Sequence, residues 1–124
     1  MNLRNLIRVS AVILMLAALG FLFAPQATSV VDLDPFGLYA IQQIGASNLA
    51  IAVLLFLVSG MESSPARQAV VTAMIVQQFV QGILNLVAVL GGSIPSGAGW
   101  IAAVVNFMIA LAFGYFRFIR PEEA

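Results

Sequence analysis

The sequence contains no cysteine, no histidine and no lysine, and only 8% of its 124 residues are charged. Without cysteine or histidine the chain cannot supply a thiolate or imidazole zinc site, a histidine-ligated haem, an iron–sulfur cluster or a Cys–His nucleophile pair. The five arginines are balanced by five acidic residues, so no excess positive charge is available to neutralise phosphates, and nucleic-acid binding is not expected. We predict no catalytic residue, no metal site and no cofactor.

Apolar residues, in contrast, make up 62% of the chain, which is more than one small soluble core of this length can bury. They fall into four runs, at about residues 6–24, 37–60, 69–90 and 98–118. Each run is close to the roughly 20 residues that a membrane-spanning helix needs, and none alternates in polarity as a transmembrane strand does. The sequence predicts an all-α fold: a single integral membrane domain over residues 1–124, built as an antiparallel bundle of four transmembrane helices.

The first run has an alternative interpretation as a cleaved signal peptide, because Arg4 and Arg8 precede a short apolar stretch. A cut after Ala24 would leave Pro25 next to the cut, and a cut after Ala27 would leave Pro25 at a position where cleavage sites favour a small residue. We therefore favour a retained first helix.

The arginines indicate how the helices are oriented. They lie near the start of the first run, between the second and third runs, and at the end of the fourth, at Arg4, Arg8, Arg67, Arg117 and Arg120. All five share one side of the membrane if both termini do, while the opposite side carries Asp32 and Asp34. The positive-inside rule then predicts a multi-pass protein of the bacterial inner membrane with both termini in the cytoplasm. Tyr39 and Trp100 are expected at the outer interface and Tyr115 near the inner one.

No charged residue lies in the middle of a predicted span, which argues against a proton-coupled pump, a transporter of charged substrates and a voltage sensor. The polar residues inside the spans are amides instead. Gln78, Gln81 and Asn85 are separated by three and four residues, so they share one face of the third helix. The predicted polar layer comprises Gln42, Asn48, Gln78, Gln81, Asn85 and Asn106.

Small residues recur beside these amides and let helices approach closely. The candidate packing residues are Gly45, Ala52, Gly82, Ala102, Ala110 and Gly114. Two interpretations of the polar layer stay open: the amides bond one another across helices, or they line a cavity in the outer half of the membrane for a neutral amphiphile such as a quinone, a lipid or a sterol-like molecule. A third interpretation is that the amides contact a partner subunit.

Other features have simpler explanations. Asp32 and Asp34 are expected to form turns rather than a metal site. Ser64 and Pro65 are expected to start a helix, because no base is present to activate a serine nucleophile. The phenylalanines and methionines are expected to face lipid or the core.

The whole pattern resembles small bacterial four-helix membrane proteins of the DoxX-like kind. The resemblance is carried by an arginine-flanked first helix ending at Pro25, by Gly45 and Asn48, by the Pro65–Arg67 turn, and by a last helix from Trp100 to Phe116. It implies a four-helix bundle, and some of these relatives are associated with quinone-linked oxidoreductase complexes. The resemblance does not identify a catalytic residue in this chain. Small multidrug transporters differ, because they carry a membrane-embedded glutamate in the first helix and this chain has none.

We accordingly predict a non-enzymatic membrane protein, either a homo-oligomer or an accessory subunit of a larger membrane complex, that packs through the small-residue faces of its second and fourth helices. The alternative is a protein that binds or carries a neutral amphiphile. A membrane enzyme would have to obtain its chemistry from a cofactor or a partner.

Overall fold

The computed structural model describes residues 2–120, and all the regular secondary structure in this part of the chain is helical, without a strand. The helices are α1, Leu3–Phe23; α2, Pro25–Thr28; α3, Pro35–Ser59; α4, Pro65–Leu90; and α5, Ser96–Gly114, which continues as a π-helical segment, Tyr115–Ile119. The predicted all-α class is confirmed for these residues.

Four helical stretches are long and apolar enough to cross a membrane: Leu3–Phe23, Pro35–Ser59, Pro65–Leu90 and Ser96–Ile119. Only 17–28% of the most apolar window in each is buried within the chain. The remaining apolar surface needs a lipid or protein environment, because exposing it to water is unfavourable. The chain therefore has the architecture of a multi-pass integral membrane protein.

The long helices begin earlier than the apolar runs do. α4 begins at Pro65, four residues before the run that starts at Ala69, and α3 begins at Pro35 rather than residue 37. Both prolines occupy the first turn, where a proline loses no hydrogen bond, and the preceding Asp34 and Ser64 cap the helix through their side-chain oxygens. Hydropathy marks the part of a helix that suits hydrocarbon, whereas capping decides where the helix begins.

The connection between the first and second apolar runs is partly helical, because it contains the single turn of α2. Gln26 organises the rest: its side-chain oxygen accepts a hydrogen bond from the Leu33 N–H at 3.1 Å, and its Nε2 donates to the Val31 carbonyl at 3.3 Å. The loop after α4 turns at Gly92, whose φ of 71° lies in the left-handed region that glycine adopts without strain. These loops are short and held by local hydrogen bonds.

By internal packing the described residues form two compact units, one made of residues 7–60 and the other of residues 2–6 and 61–120. We call them the amino-terminal and the carboxy-terminal unit. In the amino-terminal unit, α1 and α3 approach each other at Gly45. A Cβ atom at Gly45 would lie 2.9 Å from the Phe21 Cβ and 3.2 Å from the Ala18 carbonyl oxygen, so only glycine fits.

In the carboxy-terminal unit, α4 and α5 pack along most of their length. Gly99 lies against Val89, near the connection between the two helices, and Gly82 lies against the Phe107 ring. Further along, Arg117 bonds to a threonine near the start of α4. The contacts thus move back along α4 as they advance along α5.

Candidate functional site

In the amino-terminal unit, the two predicted amides have different environments. The Nε2 of Gln42 donates to the Leu22 carbonyl at 3.3 Å, in the last turn of α1, where helix carbonyls lack partners within the helix. Asn48 is 8% exposed and lies on the buried face of α3, one turn after Gly45 and one turn before Ala52. Gln42 thus joins α3 to the end of α1.

In the carboxy-terminal unit, Gln78 is the buried amide. It lies on a stripe of α4 whose buried members are Arg67, Val71, Met74, Gln78 and Gly82. Gln78 is 3% exposed, and its Oε1 has no hydrogen-bond partner. Gln81, Asn85 and Asn106 are half-buried. Within this unit, no hydrogen bond joins the side chains of these four amides.

Most of the predicted packing residues are buried. Gly45, Ala52, Gly82 and Ala110 are buried, whereas Ala102 and Gly114 are half-buried. Gly114 differs from the other glycines of the set, because a Cβ atom placed on it would meet no atom within 4 Å. A side chain at Gly114 would therefore enter open space.

The open space beside Gly114 is an apolar groove between α4, α5 and the π-helical segment, with a volume of about 720 Å³. Its aromatic walls include Phe79, Phe107, Tyr115 and Phe118. Phe79 and Phe107 pack edge to face, with ring centroids 5.6 Å apart. Ala110 and Gly114 also line the groove, and their small side chains leave space there.

Two arginine side chains stack on the aromatic residues at one end of this groove. The Arg117 guanidinium carbon lies 5.4 Å from the Phe118 ring centroid, and that of Arg120 lies 5.9 Å from the Tyr115 centroid. At these distances a guanidinium is attracted to the ring face. The Arg117 Nε also donates to the Thr72 Oγ1 at 3.4 Å. Positive charge is thus held at the edge of an apolar groove.

Arg67 belongs to the same end of the carboxy-terminal unit. It lies in the first turn of α4, five residues before Thr72, although the apolar runs placed it between two helices. It is 4% exposed, its Nη1 donates to the Met61 carbonyl at 3.1 Å, and its Nε has no hydrogen-bond partner. Arg4 is near enough for the two like charges to repel each other. The arginines of this unit are therefore gathered at one end.

Sequence reasoning missed the groove, although a signal was present. Phe107, Leu111, Gly114 and Phe118 follow one another at helical spacing, and Phe118 lies between the two terminal arginines. The phenylalanines were expected to face lipid or the core, and spacing alone does not tell either environment from the wall of a groove. The gap opposite Gly114 depends on how α4 packs against α5.

Asp34, one of the two aspartates considered for a metal site, caps a helix. The Asp34 Oδ1 accepts a hydrogen bond from the Gly37 N–H at 2.6 Å and caps α3. Within residues 2–120, no group of three or more histidine, cysteine, aspartate or glutamate side chains is close enough to hold a metal ion. Ser64 accepts from the Arg67 N–H and caps α4, as expected of a helix start.

No protein-family model matches the chain, and neither a curated protein nor a solved structure is significantly similar to it. The DoxX-like resemblance therefore stays a prediction.

Proposed function

We propose that this chain is a non-enzymatic integral membrane protein that assembles with a second copy of itself, or with a larger membrane complex, through the exposed face of α3. The proposal rests on the side chain of Gln43 on α3. This side chain is exposed, and within the described residues it has no hydrogen-bond partner.

The position of Gln43 makes this exposure costly in a membrane. It is the ninth residue of α3, about 12 Å from the helix start at 1.5 Å per residue. Because α3 has 25 residues, its length of about 37 Å exceeds a hydrocarbon core of about 30 Å. Gln43 then lies several ångströms inside the core, where an unpaired amide is unfavourable. A neighbouring helix would supply the missing partner.

The residues around Gln43 suit a second helix. Ala46, Ser47 and Ala50 are exposed and lie about one and two turns after Gln43. Small residues at such spacing let helices approach closely in membranes, and an amide adds a hydrogen bond across the interface. Gly45 and Ala52, which the sequence favoured for this role, are buried within the chain, so the neighbouring face is the better candidate.

A non-enzymatic role is supported by the placement of the charged groups. In the four long helical stretches, the charged residues are all arginines and lie within six residues of an end: Arg4, Arg8, Arg67 and Arg117. Proton transfer or nucleophilic catalysis within the bilayer would need ionisable groups at depth. We propose no cofactor for this chain.

We further propose that the four spans form an antiparallel bundle in a bacterial inner membrane, with both termini in the cytoplasm. The bond between Arg117 and Thr72 supports this, because it joins the π-helical segment after α5 to the first half of α4. Reporter fusions test it: fusions in the 60–64 connection should report the cytoplasm, and fusions near residues 30 and 93 the opposite side. Cytoplasmic signals from residues 30 and 93 would reject this orientation.

Single-cysteine cross-linking tests the assembly. Because the chain contains no native cysteine, only the introduced cysteine can form a disulfide. Ala46→Cys should give a disulfide-linked dimer, or a defined mixed adduct with a subunit of the complex, in native membranes under mild oxidation. Ala73→Cys is the matched control, because Ala73 is an exposed alanine on α4 outside this face. Equal cross-linking of the two variants, or none in either, would contradict the proposal.

The binding of a neutral amphiphile is a second candidate function, favoured by the unpartnered Oε1 of buried Gln78. A hydroxyl group of a quinol or sterol-like molecule would supply the missing donor. Native mass spectrometry of protein extracted from its own membrane should then show a neutral adduct that Gln78→Leu removes. Retention of the adduct in Gln78→Leu would reject this role for Gln78.

A further inference from the structure

The groove beside Gly114 has the features of a lipid site. We propose that it binds one acyl chain of an anionic phospholipid and that Arg117 holds the phosphate at its edge. This inference goes beyond the proposed assembly through α3 and shares only the membrane location with it, so either can fail alone.

The length of the groove matches one leaflet. Its lining on α5 and the π-helical segment extends from Phe107 to Ile119, twelve residues further along. At 1.5 Å per residue this is about 18 Å, close to half of a hydrocarbon core of about 30 Å. A lipid tail that enters from the arginine end would follow the groove to about the middle of the bilayer.

The chemistry of the lining also suits a lipid tail. The walls are aromatic and aliphatic, and the volume of about 720 Å³ lies within the range of sites for small molecules. A second transmembrane helix would need contact along most of its length and prefers small residues at the interface. Here only Ala110 and Gly114 among the lining residues are small, and four of the others are aromatic.

The positive charge of Arg117 lies at the edge of the groove, where the phosphate of the lipid would be. Arg117 stacks on Phe118, which lines the groove, and its Nε is directed to Thr72. Within residues 2–120, no carboxylate forms an ion pair with Arg117. The two terminal nitrogens of its guanidinium therefore stay available for a phosphate, which arginine can bind through parallel hydrogen bonds.

Native mass spectrometry of the full chain tests the proposal. The protein is equilibrated with equal amounts of phosphatidylglycerol and phosphatidylcholine that carry the same acyl chains. We expect the anionic lipid to be retained in preference. Gly114→Leu should lower retention of both lipids about tenfold, because its side chain displaces roughly two buried methylene groups of the tail. Gly114→Ala should have a smaller effect in the same direction.

Gly97→Leu is the matched control for the groove. Gly97 is also in α5, and a Cβ atom there would likewise meet nothing within 4 Å, but it does not line the groove. It should leave lipid retention unchanged. Circular dichroism of both variants checks that helix content is preserved.

Arg117→Gln tests the headgroup contact separately. It should lower the preference for the anionic lipid about fivefold, because one arginine near an anionic headgroup strengthens binding by about that factor. The retention of phosphatidylcholine should not change. Arg117→Lys should keep most of the preference. Arg8→Gln removes the same charge from α1 and should leave the preference unchanged.

Three outcomes would overturn the proposal. Equal lipid retention in Gly114→Leu and the unaltered chain would mean that the groove holds no tail. A dimer that dissociates in Gly114→Leu, with no lipid retained by either protein, would make the groove an interface between copies. Binding that depends on Arg117, is displaced by inorganic phosphate and does not change with acyl-chain length would indicate a site for free phosphate.

Discussion

The two units use glycine in opposite ways. In the amino-terminal unit, Gly45 lies against the backbone of α1, so the helices meet without space between them. In the carboxy-terminal unit, Gly82 lies against the Phe107 ring, while Gly114 faces open space and leaves a groove. A glycine in a membrane helix therefore closes an interface or opens a cavity, and the atoms opposite it decide which.

The largest expected effect is that of Gly45→Val. Its new side chain would overlap the Phe21 Cβ and the Ala18 carbonyl, and backbone atoms cannot move away cheaply. We expect a loss of about 3 kcal/mol in the free energy of unfolding, the upper end for overpacking, measured by reversible unfolding in mixed micelles. Gly97→Val, which meets no atom, should cost much less. Equal losses would refute the difference between closed and open glycines.

Gly82→Ala should have an intermediate effect, because its Cβ would meet the Phe107 ring at 2.8 Å and a ring can shift where a carbonyl cannot. We expect a loss of about 1 kcal/mol. The loss should shrink in a Phe107→Leu background, because the two changes share one contact. A purely additive double variant would show that the ring is not what limits this position.

The helix caps of α3 and α4 allow a direct comparison of the two units. Asp34 caps α3 with a 2.6 Å bond to Gly37, and Ser64 caps α4 with a 3.2 Å bond to Arg67. Replacement of either by alanine should cost about 1 kcal/mol. Asp34→Ala should cost more, because a bond to a charged acceptor is stronger than one to a hydroxyl. Thermal unfolding followed by circular dichroism measures both, and a larger loss for Ser64→Ala would contradict this order.

The smallest expected effect is that of Gln42→Leu, which removes the bond to the Leu22 carbonyl in the amino-terminal unit. Bonds of this kind between membrane helices contribute about 0.6 kcal/mol. The matched control is Gln43→Leu, because the Gln43 side chain has no partner within residues 2–120. In detergent, at dilutions where the chain is monomeric, Gln43→Leu should leave the unfolding free energy unchanged. A comparable loss in the control would show that the bond to Leu22 is not the cause of the loss in Gln42→Leu.

Much of the fold follows from local patterns. Four apolar runs and the absence of polar alternation are enough to predict four long helices, because hydrocarbon accepts only backbones whose hydrogen bonds are satisfied internally. Pro35 and Pro65, each preceded by a capping side chain, mark two helix starts more accurately than hydropathy does. These features depend on residues within about one turn of each other.

The candidate sites depend on partners that are distant in the sequence. Gln42 meets the end of α1 twenty residues away, and Arg117 meets Thr72 forty-five residues away. Spacing places amides on a face, but only packing shows that Gln78 is buried without a partner for its oxygen while Gln43 is exposed. The sequence by itself determined the helices, their caps and the confinement of charge to the span ends. The tertiary structure decided which glycines close an interface and which opens a groove, because that depends on the atoms opposite each one.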